Sequence, residues 1–164
     1  MNSVFEGKYK QEIEPLEVTE LLEQKGESYK IIDPFSQEAK DIMDWLKSNY
    51  PITSWGRINW ADVKDSEKYN TEDLTLAVQA IKEICATNKV GGEVIFLWSN
   101  MLKPALRLPL KVALSYIDDL IVEDSDTWIC SQDENWCIEV YHEGEVCFGY
   151  GKPKVSEKSL EEIV

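Results

Sequence analysis

The chain has 164 residues, is 43% hydrophobic and carries a formal net charge of −14. That length supports one packed core, and the charge argues against binding nucleic acid, whose phosphates would repel it. No apolar run is long enough to cross a bilayer, the opening MNSVFEGKYKQEIEP lacks a signal-peptide core, and four cysteines fit a reduced cytoplasmic domain better than a disulfide scaffold.

In chain order, EPLEVTELLEQKG reads as a short helix stopped by Gly26, inside a polar stretch, residues 1–28, that is a candidate peripheral N-terminal segment. YKIID at 29–33 reads as a short strand broken by Pro34. Ser36 is a good N-cap for a helix over 36–49, where Ala39, Ile42, Met43 and Leu46 recur at helical spacing before Pro51. SWGRINWADV at 54–63 gives weak strand alternation, and DSEKYN reads as loop. A helix is expected over 71–87, opened by Thr71, with Leu74, Val78 and Ile81 on one face. VGG punctuates, and EVIFLWS is a continuous apolar strand of the kind buried on both faces.

After the Pro-containing NMLKPALRLP, a second apolar helix is expected over 109–121, leaving Asp118 and Asp119 toward solvent. TWICS, NWCIEVYH and EVCFGYG then form a β-meander with turns at SQDEN and HEG. Period-two alternation puts Trp136, Ile138, Val140 and His142 on one face of the middle strand, with Cys137, Glu139 and Tyr141 on the other. PKVSEKSLEEIV is a tail with a candidate final helical turn. The expected fold is a single α+β domain, with helices packed on a largely antiparallel sheet ending in the C-terminal meander.

The charge is concentrated. Between Lys111 and Lys152 lie forty residues without Lys or Arg and with ten acids: Asp118, Asp119, Glu123, Asp124, Asp126, Asp133, Glu134, Glu139, Glu143 and Glu145. Elsewhere 21 acids face 17 cations, so ten of the fourteen net charges come from this segment. A surface built only for solubility usually mixes signs. These ten carboxylates are therefore candidates for contacting a basic partner, with Trp136 or Tyr141 as apolar anchor.

Chemistry fits the segment less well. Cys130, Cys137, His142 and Cys147 could in number hold zinc, but no CxxC or HxxxH pair is present and alternation turns Cys137 and His142 opposite ways. Cys147 could approach His142 across the tight HEG hairpin, yet the negative field opposes thiolate formation and no Gly-rich elbow accompanies the pair. No phosphate-binding or EF-hand motif occurs, so no cofactor, metal or catalytic residue is assigned.

DDLIVEDSDTWICSQDENWCIEVYHEGEVCFGYG resembles the C-terminal meander of small immunity proteins from contact-dependent growth inhibition and related polymorphic-toxin systems. The TWI…W.IE.YHEGE…FG arrangement carries the resemblance, over the C-terminal third. It implies a non-enzymatic cytoplasmic protein that binds and blocks a cognate toxin domain, often a nuclease with a basic cleft. A small cysteine-dependent enzyme and an acidic adaptor unrelated to toxins are the alternatives.

Overall fold

The computed structural model describes residues 12–153. The helical turn expected in the C-terminal tail lies outside that range, as does most of the N-terminal MNSVFEGKYKQEIEP. The elements are α1 (Val18–Gln24), β1 (Lys30–Ile32), α2 (Gln37–Asn49), a 3-10 turn (Trp60–Asp62), β2 (Glu67–Asn70), α3 (Leu74–Asn88) and β3 (Glu93–Trp98). There follow β4 (Ala105–Pro109), α4 (Leu110–Ser115), α5 (Ile117–Ile121), β5 (Thr127–Ser131), β6 (Trp136–Tyr141) and β7 (Glu145–Tyr150). The strands form one antiparallel sheet in the order β1-β4-β3-β5-β6-β7-β2. This is the α+β fold expected from the sequence.

Local chemistry sets the helix limits. Ser36 is extended and its Oγ accepts from the Ala39 amide at 3.2 Å, which starts α2. Tyr50 leaves helical geometry because it precedes Pro51, and its hydroxyl then donates 2.8 Å to the Gly149 carbonyl on β7. Helix α3 starts at Leu74, later than Thr71, because Asp73 supplies the cap through the Leu76 amide at 2.9 Å. The single helix expected over 109–121 is two short ones, since Tyr116 at φ −124° and ψ 24° interrupts the helical path.

Other differences concern strands. DSEKYN is not all loop: Glu67–Asn70 pairs with β7 and extends the sheet beyond the meander. The stretch after Pro104, unassigned up to the expected helix start at Pro109, forms β4 with Pro109 as its last residue and bridges β1 to β3. Instead of a strand, the stretch 54–63 holds a narrow loop closed by an Ile52–Ile58 bridge, followed by the 3-10 turn.

The two faces of the sheet are covered differently. Val94, Phe96, Ile129, Trp136, Ile138, Val146 and Phe148 pack with Leu22, Ile81, Ile84 and Leu120 from the helices to make the main core. On the reverse face Cys130, Cys137 and Cys147 pack beneath Leu46, Tyr50, Ile58 and Trp60, while Ile95 meets Ile32 and Ile42. Burial on both faces is why EVIFLW carries no polar alternation.

Candidate functional site

The reverse face has one charged group in its interior. Glu139 sits mid-strand on β6, fully buried. Oε1 accepts from Arg57 Nε at 2.7 Å and from the Trp60 indole at 3.1 Å. Oε2 accepts from the Ile58 amide and the Trp128 indole, each at 2.9 Å. A buried carboxylate is tolerable only when paired and fully hydrogen-bonded, and four donors achieve that here.

Arg57 continues the network. Its Nη2 pairs with Glu145, which Lys68 also meets at 2.9 Å, and its guanidinium lies 4.0 Å over the Tyr141 ring. Burial alone would lower the Arg57 pKa, but the bonds to Glu139 and Glu145 outweigh it and raise it. The same contacts to Arg57 and Lys68 hold the Glu145 carboxyl below its ordinary range. The Tyr141 ring lies 4.4 Å from that of His142, tilted by 49°, and His142 Nδ1 lies 2.9 Å from Asp126.

What the network fixes is the 52–58 hairpin. Its tip is closed by the Thr53 amide donating 2.7 Å to the Arg57 carbonyl and the Gly56 amide donating 3.0 Å to the Thr53 carbonyl. The Thr53 hydroxyl adds a bond of 2.9 Å to the same Arg57 carbonyl. Gly56 takes φ +90°, which a side chain would resist.

The ten acids do not form one patch. Asp133 and Glu134 lie in the turn between β5 and β6, where Glu134 accepts from the Gly91 amide at 2.9 Å. Asp124, Asp126 and Glu143 lie at the opposite end of that hairpin, with Asp118 and Asp119 on α5. Glu123 is nearly buried, paired with Lys103 at 3.0 Å and accepting from the Val18 amide at 2.6 Å. Asp124 accepts from the Asn100 amide and the Ser99 hydroxyl; burial opposes ionisation, yet these bonds and that from Ser125 hold its carboxyl below the usual range.

Across most of this fold runs a match to a known family. A family model for the CdiI immunity protein EcoliA0-like family covers residues 18–149. The chain belongs to that family. It is thus a toxin-neutralising immunity protein of contact-dependent growth inhibition, and its partner is a cognate toxin protein. No curated protein matches the chain.

Two residues put forward as partner contacts are placed elsewhere in the immunity protein. Trp136 is fully buried in the main core against Phe148, so it cannot serve as an exposed anchor. Glu139 is a structural counter-ion, not a surface charge. The cation-free window is also compensated in space, because Arg57, Lys68 and Lys103 arrive from outside it. Of the ten, those that stay exposed and make no hydrogen bond or ion pair among the described residues are Asp118, Asp119, Asp133 and Glu143.

The thiols point away from nucleophilic chemistry. Cys130 and Cys137 face each other across β5 and β6 with sulfurs 3.3 Å apart, and burial, with the hydrogen bond shared with Cys130, pushes the Cys137 thiol well up. Burial pushes Cys147 up to about 11. Arg57 Nη2 lies 3.9 Å from its sulfur, while the His142 ring turns to Asp126.

Sequence reasoning also missed Arg57. A lone arginine in a weak strand pattern gave no sign of a carboxylate 82 positions later.

Proposed function

We propose that this immunity protein neutralises its toxin in the cytoplasm through an acidic surface, and that the toxin domain it meets is basic and nuclease-like. The observation that carries the reading is that four of the ten carboxylates in the cation-free segment, Asp118, Asp119, Asp133 and Glu143, stay exposed without a partner among the described residues, spread over α5 and both ends of the β5–β6 hairpin. Asp124, Asp126 and Glu134 add to the field while bonded to backbone amides, and Glu123 and Glu145 contribute behind their cations. Tyr141, half-buried over Arg57, supplies an aromatic edge at one end of the surface. Complementary charge speeds encounter, and an inhibitor gains most from speed because it must arrive before the toxin acts.

The test replaces Asp118, Asp119, Asp133 and Glu143 together with Asn or Gln. Association with the purified toxin domain is then followed at low and high salt. Under this reading the on-rate falls about tenfold at low salt and its salt dependence flattens, with the melting temperature near wild type. An unchanged on-rate and salt slope would remove these carboxylates from the interface.

A further inference from the structure

The six tryptophans divide five to one. Trp60, Trp98 and Trp136 are buried; Trp45 packs edge-on against Tyr50 at 6.1 Å; Trp128 donates its indole N–H to Glu139. Trp55 alone stands 73% exposed and has neither a hydrogen bond nor a ring partner among the described residues. It sits at the tip of the 52–58 hairpin, two residues from Arg57, beside the end of the sheet that carries Tyr141, His142 and Glu143.

We propose that Trp55 is the apolar anchor by which the immunity protein grips its toxin, and that the Arg57–Glu139–Glu145 network holds the hairpin in the gripping conformation. This rests on the toxin-binding reading and names the contact within it. Other large apolar side chains are also exposed, Met101 and Phe35 among them, but tryptophan is the type enriched among residues that dominate interface energy and is rarely left exposed beyond what function needs. The hairpin carrying it is no loose loop. Its base is buried at Ile58, its tip closes on its own hydrogen bonds, and a desolvated ion pair ties it to β6. Ordering a loop on binding costs affinity, and here the ordering is already done in the free protein. The occupant is the basic toxin domain: an apolar pocket takes the indole, and Lys or Arg on its rim meets Glu143 and Asp126 beside the hairpin.

The experiment measures binding of the purified cognate toxin domain to wild type, Trp55→Ala and Trp55→Phe, with melting temperatures alongside. Trp55→Ala weakens binding about 30-fold or more, mainly through faster dissociation, while its melting temperature stays at wild type. Trp55→Phe recovers most of the loss. Glu145→Gln, which leaves the Glu139 contacts in place, speeds hydrogen exchange at the Gly56 and Arg57 amides and weakens binding less than Trp55→Ala does. Wild-type affinity in Trp55→Ala overturns the anchor, and unchanged exchange in Glu145→Gln overturns the holding role; in both cases toxin binding by wild type keeps the broader reading intact. If wild type itself does not bind the toxin domain, the broader reading falls first.

Discussion

Glu139 shows how one residue can change meaning between sequence and structure. In the sequence it is one acid of ten in a cation-free stretch; in the fold it is the only fully buried carboxylate among the described residues, wrapped by four donors. Removing it leaves the Ile58 amide and the Trp60 and Trp128 indoles without their acceptor and Arg57 with Glu145 alone, a cost of about 3–5 kcal/mol. Glu139→Ala should therefore lower the urea midpoint strongly, while Asp133→Ala, on an exposed turn, should change the unfolding free energy by less than about 0.5 kcal/mol and leave the midpoint nearly in place. Equal effects of the two substitutions in matched urea titrations would deny Glu139 its structural role. The distinction could not be seen earlier because Arg57 lies 82 positions away, and nothing local to either residue announces the partner.

At the level of elements, the approach of the 57–63 segment to the sheet depends on Gly149. A Cβ there would come within 2.8 Å of Val63 Cγ1 and 3.0 Å of the Trp60 ring. Gly149→Ala should force that segment off β7, costing about 1–3 kcal/mol as other overpacked sites do, with a downfield or upfield shift of the Trp60 indole resonance to mark where the strain falls. An unshifted indole and unchanged stability would show that the segment yields freely. Elements with their own chemical markers were legible: Ser36 capping α2, the apolar run of β3, the alternating strands and HEG turn of the meander. Elements stabilised only by distant partners were not. EKYN becomes a strand because β7 offers it a ladder, and ALRLP because it has β1 on one side and β3 on the other. The interface candidates followed the same division. Charge density was visible in composition, but which carboxylates remain free depended on Arg57, Lys68 and Lys103 folding back onto them.

For the whole molecule, acidity sets where stability is lost. Glu145, Glu38 and Asp124 are each held below their ordinary range, Glu145 by Arg57 and Lys68, Glu38 by Lys30, and Asp124 by bonds that outweigh its burial. A group whose folded pKa lies below its unfolded value stabilises above the unfolded pKa, near about 4, and loses that contribution as pH falls through the folded value. Urea midpoints should thus hold steady from pH 7 to pH 5 and drop between about pH 4 and pH 2. Glu145→Gln should show a smaller drop over that interval than wild type, and a parallel acid limb in the two proteins would exclude Glu145 as a contributor.

The strand order also governs when the protein can begin to protect. β2 waits for β7, with Lys68 aligned to a cysteine 79 positions further along, and β1 waits for β4. At ordinary synthesis rates that separation alone holds β2 without its neighbour for about 4–16 s on the ribosome. Arg57 emerges equally early and has no counter-ion until Glu139 and Glu145 follow. Pairings of such long range close late and slowly. A nascent chain therefore has no finished 52–58 hairpin until the segment carrying Glu139 and Glu145 has emerged, so parts of the molecule made first are among the last to be locked.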